Sequence, residues 1–216
     1  MGMSGPGASA STPADKKRPE WIVGGATILA FVALMYVIEA IDAFLLHGRL
    51  DYDGIHPREW DGLWGILWAP LLHGGWDHLN GNAPFALVLG FLMTLMGMGR
   101  FVAATAIVWI LGGLGTWVIG SAASTIGASG LIMGWLTFLI VFGFFTRQVW
   151  QIVVGIIVFF VYGSVLLGVF PGTLGVSWQG HLCGAIAGVI AAYLLSGPER
   201  KARVRRKAGV PPKLAA

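Results

Sequence analysis

Residues 127–145 read GASGLIMGWLTFLIVFGFF, a run of nineteen residues without a charged side chain. At the rise of an α-helix this run reaches ~28 Å, which is close to the roughly 30 Å hydrocarbon thickness of a bilayer. Its apolar residues are continuous rather than alternating, and this favours a transmembrane helix over a strand of a membrane barrel. The run therefore predicts a helix that crosses a membrane.

The same pattern recurs on both sides of this run. Further apolar stretches of comparable length lie at 21–43, 78–98, 101–120, 148–169 and 178–196. The 216-residue chain is 56% hydrophobic and 11% charged, whereas a soluble domain has about a quarter of its residues charged. The sequence predicts an all-α membrane protein, with a six-helix bundle over residues 21–197.

The basic residues predict an orientation for this bundle. Twelve of the fourteen Lys and Arg residues fall in the tails 1–20 and 198–216 or in short turns on the same side, and only Arg49 and Arg58 fall in the loop 44–77. By the positive-inside rule, both termini are expected in the cytoplasm and the loop outside. The tails are too polar to bury a core, so we expect them to be disordered. A bacterial cell membrane is the expected location, and the apolar body argues against nucleic acid as a partner.

The outer loop 44–77 carries a tryptophan pattern. Trp60, Trp64 and Trp68 recur every four residues, so a helix would place them on one face. Such a face suits the headgroup depth that tryptophan favours. A stripe that packs against the bundle explains the same spacing equally well, and both interpretations stay open.

Four polar residues inside the predicted spans are functional candidates, since burying polar side chains in a membrane is costly. Ser129 lies near the outer end of the fourth span, His181 opens the sixth, and His78 and Asn82 lie on one face of the second. Spans two, four and six run in the same direction, so these residues share one depth. The topology predicts that they converge.

These residue types suit acyl transfer. A serine hydroxyl becomes nucleophilic when a neighbouring base takes its proton, and the neutral histidine His181 fits that role for Ser129. The side chains of His78 and Asn82, with the backbone N–H of Ser129, are candidate donors to an oxyanion. The sequence places no acidic residue at this depth, so we expect a Ser-His dyad rather than a triad.

Each of these residues also has a simpler interpretation. Ser129 alone is more often a packing residue in a membrane helix, and His181 alone is as often a hydrogen-bonded interfacial histidine as a base. His73 is interpreted as a loop-structuring residue and Cys183 as a packing residue. A metal centre would need His73, His78 and His181 to converge without acidic ligands, so we expect no metal and no cofactor.

Small residues are expected to bring the helices together. Gly130 and Gly134 form a small-xxx-small pattern on the fourth span, and Gly184 and Gly188 do so on the sixth. Gly127 belongs to the same predicted set of helix-packing glycines. Close helix approach would allow contact between the candidate nucleophile and its base.

Three segments together resemble a known family. HGGWDHLNGN at 73–82, GASG at 127–130 and GHLCGAIAG at 180–188 look like the three signatures of rhomboid intramembrane serine proteases. Each motif is weak alone, but their order on the second, fourth and sixth predicted spans is specific. The resemblance covers about residues 20–197.

This resemblance implies a six-helix bundle with a water-accessible cavity that opens outward. It implies cleavage of single-span membrane proteins near their outer boundary, so transmembrane substrates and membrane lipids are the expected partners. It assigns Ser129 as nucleophile, His181 as base, and His78 and Asn82 as oxyanion donors. The natural substrate and the oligomeric state stay open.

The sequence departs from the family pattern at two positions. The family usually has an aromatic residue four positions after the serine, where this chain has Met133. Pro84 is expected in the first turns of the second span, where a helix tolerates proline. The alternative function is a catalytically silent rhomboid-like protein that binds transmembrane helices. A channel or transporter would instead predict inverted repeats or polar residues at the midplane, and neither is evident.

Overall fold

The computed structural model describes residues 19–172 and 175–208, which are almost entirely helical. The helices, in chain order, are α1 (Glu20–Ile41), α2 (Gly65–Trp68), α3 (Trp76–Leu95), α4 (Met98–Ile119), α5 (Ser129–Thr146), α6 (Val149–Tyr162), α7 (Trp178–Leu195) and α8 (Gly197–Lys207). A π-helical turn, Asp42–Leu46, continues α1, and a 3₁₀ segment, Gly163–Val169, continues α6. Three short 3₁₀ turns, Leu50–Asp53, Asp61–Leu63 and Ala69–Leu71, shape the loop between α1 and α3.

A helix lies at each of the six predicted apolar stretches. Five stretches are long and apolar enough to cross a membrane: Glu20–Leu46, Met98–Ile119, Ser129–Thr146, Val149–Val169 and Trp178–Leu195. The remaining helix, α3, has 20 residues, but Asp77, His78, Asn80 and Asn82 make its first turns polar. The chain is therefore an all-helical membrane protein with five candidate spans, and α3 is its most polar long helix.

The central element is α5, which packs against α3, α4, α6 and α7. Of its apolar window 67% is buried, against 22% for α1 and α4. The indole N–H of Trp135 donates to Thr105 Oγ1 at 3.0 Å, and Thr137 Oγ1 donates to the carbonyl of Ala185 at 2.8 Å. Close packing and interhelical hydrogen bonds are the forces that hold helices together within lipid. In this bundle, such contacts fix α5, and with it its first residue Ser129, relative to α7.

Helices α5 and α7 meet backbone to backbone. A Cβ atom on Gly184 would lie 2.0 Å from the carbonyl oxygen of Gly130, and one on Gly188 would lie 2.1 Å from that of Gly134. Neither position has room for a side chain. The prediction that Gly127 packs between helices is wrong, because Gly127 precedes α5 in a loop and has a φ of +110°.

We expect Gly184→Ala to lower the free energy of unfolding by about 2 kcal/mol or more, since backbone on both sides prevents relaxation. Thermal unfolding in detergent measures the effect. Gly99→Ala in α4 is the matched control, because a Cβ there meets nothing within 4 Å and alanine favours a helix over glycine. Equal unfolding temperatures for the two variants would contradict the close contact of α5 and α7.

The tryptophans of the outer loop are largely exposed, although the ring of Trp60 also lies beside that of Trp117 in α4, with centroids 5.9 Å apart. The exposed fractions of Trp60, Trp64 and Trp68 are 80%, 69% and 52%. The segment is not one continuous helix, since α2 covers only Gly65–Trp68 after a separate 3₁₀ turn. Exposure of all three indoles favours the headgroup interpretation over a packing stripe.

Hydrogen bonds link this loop to the segment between α4 and α5. Ile55 and Thr125 exchange both backbone hydrogen bonds, each at 3.0 Å. Arg58 donates through its guanidinium to the carbonyl of Gly120 at 2.8 Å, just beyond the end of α4. A cation at a helix C-terminus is favourable. Arg58 therefore has a structural reason to lie among the few basic residues of the outer loop.

The expected disorder of the C-terminal tail is wrong for residues 198–207, which belong to α8. Pro198 lies in its first turn and basic residues fill its last turn, both of which favour a helix. Glu199 pairs with Arg100 at the start of α4, and Arg200 lies over the ring of Tyr193. Pro19, Glu20 and Ala208 of the predicted tails are also described, and residues 1–18 and 209–216 lie outside the described residues.

Candidate active site

A cavity of about 740 Å³ lies at the end of the bundle where α3, α5 and α7 begin. Its wall includes Ser129 from α5, His181 from α7, and His78 and Asn82 from α3. The structure thus brings together all four residues predicted from the sequence. They converge because the three helices begin at the same end of the molecule.

Ser129 is the first residue of α5. The amide N–H groups in the first turn of a helix have no acceptor inside the helix, and they form the positive end of its dipole. The backbone N–H of Ser129 is therefore available to an anion beside its own hydroxyl. No hydrogen bond from another described residue holds that hydroxyl.

Segment 69–73 of the outer loop holds the turn before Ser129. The N–H of Gly127 donates to the carbonyl of Ala69 at 2.8 Å, and the N–H of Ala128 donates to His73 Nε2 at 3.4 Å. Gly127 has a positive φ, and a Cβ on it would lie 2.6 Å from His78 Nε2. Only glycine combines this conformation with this close approach.

His73 supports the site from behind and does not line the cavity. Its side chain is only 2% exposed, and its ring meets that of His78 edge to face at 5.1 Å. Because Nε2 accepts from Ala128, the ring proton resides on Nδ1. Burial, with a smaller contribution from nearby His78, lowers the pKa of His73 to about 4. The geometry is that of the loop-structuring residue expected from the sequence.

The pKa of His73 predicts a pH dependence of stability. In the unfolded chain His73 takes up a proton near pH 6.5, whereas in the folded chain it does so only near pH 4. The free energy of folding that neutral His73 contributes is therefore complete above pH 6.5. It decreases as the pH falls towards 4, by roughly 3 kcal/mol over that window. Unfolding of wild type and His73→Gln should be measured across these pH values. Glutamine retains an acceptor but does not titrate, so identical slopes would contradict the assignment.

The ring of His78 has a defined tautomer. Its Nδ1 accepts the N–H of Gly74 at 3.3 Å, so in the neutral ring the proton is on Nε2. Nε2 is the atom that packs against Gly127, next to the turn that carries Ser129. His78 consequently presents a donor towards that turn.

Asn82 lies one helical turn further along α3. It is buried, and its Nδ2 donates to the carbonyl of His78 at 2.9 Å. Asn80 points elsewhere and accepts a hydrogen bond of 2.7 Å from Tyr36 on α1. The prediction for Pro84 is wrong, since α3 begins at Trp76 and Pro84 lies in its interior. Proline has no N–H to donate to Asn80, yet α3 continues to Leu95.

A backbone carbonyl orients His181. Nδ1 of His181 lies 3.0 Å from the carbonyl oxygen of Gly168 in the 3₁₀ segment after α6. A proton on Nδ1 completes that bond and leaves the lone pair of Nε2 available as a base. No carboxylate of a described residue forms a hydrogen bond with His181. Sequence reasoning missed Gly168, because a backbone carbonyl has no signature in the residue type.

Met133 is a neighbour of His181. A Cβ built on Gly168 would lie 2.8 Å from His181 Nδ1 and 3.1 Å from Met133 Cε, so both side chains surround that glycine. A flexible thioether packs well against a ring. Met133 thus lies close to the histidine, in the region where an aromatic residue was expected.

Comparisons with known proteins agree with the sequence motifs. A family model described as "Rhomboid domain" matches residues 61–198. An uncharacterized protein of Mycobacterium tuberculosis H37Rv is 62% identical over 202 residues, which cover 89% of this chain and 84% of the relative. One of Mycobacterium leprae is 55% identical, with coverage of 89% and 80%. Rhomboid-like protease 5 of Toxoplasma gondii is 30% identical over 156 residues, or 68% of this chain and 18% of that protein.

Proposed function

Because the chain belongs to the rhomboid family, we propose that it is an intramembrane serine endopeptidase that cleaves transmembrane segments of other proteins. The observation that carries this proposal is the shared cavity: Ser129 lines it at a helix N-terminus, and His181 lines it with Nδ1 engaged by Gly168. This arrangement leaves one histidine nitrogen able to take the proton of a serine hydroxyl.

In the proposed reaction, His181 Nε2 takes the proton of Ser129 Oγ while Oγ bonds to the scissile carbonyl carbon. The negative oxygen that forms accepts hydrogen bonds from the Ser129 N–H, His78 Nε2–H and Asn82 Nδ2–H. His181 then gives the proton to the leaving amine as the C–N bond breaks. A water, deprotonated by the same base, hydrolyses the ester on Ser129 and regenerates the hydroxyl.

The substrate class follows from the place of this cavity in an apolar bundle. A substrate helix hides its carbonyls in its own hydrogen bonds, so it must unwind before Ser129 reaches one. Segments with glycine or proline near the cut unwind at the lowest cost. Single-span proteins with such residues near a membrane boundary are the proposed substrates.

The proposal includes the six-span topology, with α3 as the sixth membrane helix, both termini in the cytoplasm and the cavity facing outward. The positive-inside rule supports this orientation. Exposed Trp60, Trp64 and Trp68 support a headgroup position for the outer loop. The mycobacterial relatives support a bacterial cell membrane.

The direct test is reconstitution of the full chain in liposomes with a model single-span substrate. Gel analysis and mass spectrometry of the products should find one cut near the outer boundary of the substrate helix. Substrate that is bound but never cut, by a folded protein, would contradict the protease proposal. That result would instead indicate a catalytically silent protein that binds transmembrane helices.

Asn82→Ala is expected to lower the turnover of this substrate by roughly 10²-fold, because an oxyanion donor acts mainly in the transition state. Asn80→Ala is the matched control, since Asn80 lies two residues away and bonds to Tyr36. The cleavage rate of each variant should be compared with its unfolding temperature. Equal rates for both variants would remove Asn82 from the oxyanion site.

A further inference from the structure

The end of the molecule at which α7 finishes is strongly basic. Helix α8 and the turn between α5 and α6 carry one acidic residue among their described residues, Glu199, which already pairs with Arg100. The cations of these two elements are Arg147, Arg200, Lys201, Arg203, Arg205, Arg206 and Lys207. Such a concentration of like charge is unfavourable unless anions offset it.

These cations surround two cavities on either side of α8. A cavity of about 550 Å³ lies between α8 and the α5–α6 turn, and its basic lining residues are Arg147, Arg203, Arg206 and Lys207. Glu199 also lines it, with its carboxylate paired to Arg100. A second cavity, of about 580 Å³, is lined by Arg200, Lys201, Arg203 and Arg205. Arg203 borders both. Cations from two separate elements therefore face a common space large enough for a headgroup.

The side chains are held in place and retain donor capacity. Arg203 donates to the carbonyls of Phe145 and Thr146, both at 3.4 Å, which fixes α8 against the end of α5. Both bonds use Nη1 of Arg203, so the other N–H groups of its guanidinium keep their donor capacity. Guanidinium groups match the oxygens of a phosphate in bidentate geometry. The arrangement suits a phosphate better than a simple halide.

The position of the cavity indicates a lipid source for that phosphate. Helix α8 begins at Gly197, two residues after the candidate span α7 ends, and this is the depth of lipid headgroups. Val149 and Trp150 follow the α5–α6 turn directly and are 76% and 72% exposed. An apolar surface beside a basic cavity matches both parts of a phospholipid.

We propose that the cavity between α8 and the α5–α6 turn binds the phosphate headgroup of an anionic phospholipid, whose acyl chains lie against Val149 and Trp150. The site is about one bundle length from Ser129, at the opposite end of α5. It does not depend on proteolytic activity. Failure of this proposal and failure of the protease proposal are therefore separate results.

Native mass spectrometry of the full chain tests the proposal. The detergent-purified protein is mixed with equal amounts of phosphatidylglycerol and phosphatidylcholine that have the same acyl chains. Preferential retention of phosphatidylglycerol is expected. Removing a cation should weaken that preference roughly fivefold per charge. The variants are Arg147→Gln on the turn and the double change Arg206→Gln with Lys207→Gln on α8.

Variants on two different elements distinguish a loss of lipid binding from local unfolding of α8. Arg147→Gln leaves α8 unchanged, and exchanging Arg206 for Lys together with Lys207 for Arg keeps the charge and should keep binding. Arg49→Gln in the outer loop removes one charge elsewhere and should have no effect. Equal retention of the two lipids by wild type would overturn the proposal, as would an equal loss in Arg49→Gln and Arg147→Gln.

A final arm distinguishes lipid from free anion. Thermal unfolding is measured with phosphatidylglycerol and, separately, with inorganic phosphate at the same phosphate concentration. Stabilisation by the lipid alone supports a headgroup site that also uses the apolar surface. Equal stabilisation by inorganic phosphate would show a simple anion site and overturn the assignment to a phospholipid.

Discussion

Ser129→Ala is expected to lower the cleavage rate of a reconstituted single-span substrate by at least about a thousandfold, with the fold unchanged. Without Oγ no acyl-enzyme forms, and water in the cavity is a poor replacement for a positioned nucleophile. The hydroxyl of Ser129 forms no hydrogen bond with another described residue, so its loss breaks no structural contact. Gel analysis measures the cleavage rate, and the unfolding temperature of the same preparation shows whether the fold is unchanged.

The matched control for this variant is Ser121→Ala. Ser121 lines the same cavity, so its replacement removes one hydroxyl from the same wall without touching the nucleophile. Wild-type cleavage by Ser121→Ala, beside none by Ser129→Ala, would establish the nucleophile. Substantial cleavage by Ser129→Ala would end the serine-protease assignment and require a different catalytic group.

His181→Ala should reduce cleavage to a similar extent, again at least about a thousandfold, because the hydroxyl of Ser129 then retains its proton. The double variant with Ser129→Ala should be no slower than either single variant, since the two residues act in one step. Cleavage rates of all three variants, measured in one liposome preparation, test this non-additivity.

The control for the histidine is His47→Asn, a change in the outer loop at a residue with a φ of 55° that asparagine also tolerates. It should leave cleavage near the wild-type rate. A further loss in the double variant would show that His181 acts independently of Ser129. In that case the hydrogen bond from Nδ1 to Gly168 would have only a structural role.

Much of this architecture follows from apolar run length alone. The run 127–145 predicts α5 to within two residues at its start and one at its end, since a helix in lipid is bounded by the thickness of the hydrocarbon. Convergence of the candidate site residues was also predictable. Three helices that run in one direction begin at the same end of a bundle, whatever the details of packing.

The parts that sequence reasoning missed are contacts of the backbone. The carbonyl of Gly168 orients His181, and the N–H of Ala128 bonds to His73. Both histidines are held by backbone groups, which every residue type carries. Gly127 was assigned to helix packing because a positive φ leaves no mark in the sequence beyond glycine itself. Helix α8 was missed because its charge suggested disorder, while Glu199 and Arg203 bind it to the bundle.

The contact between α5 and α7 also limits how this protein can evolve. At Gly184 and Gly188, where two backbones touch, even the smallest side chain meets a backbone atom that cannot move aside. The exposed tryptophans of the outer loop can be replaced one at a time without a steric clash. Replacing either of these glycines by any other residue is expected to destabilise the fold. We expect a scan of all single substitutions to find both glycines among the least permissive positions, although neither takes part in the chemistry.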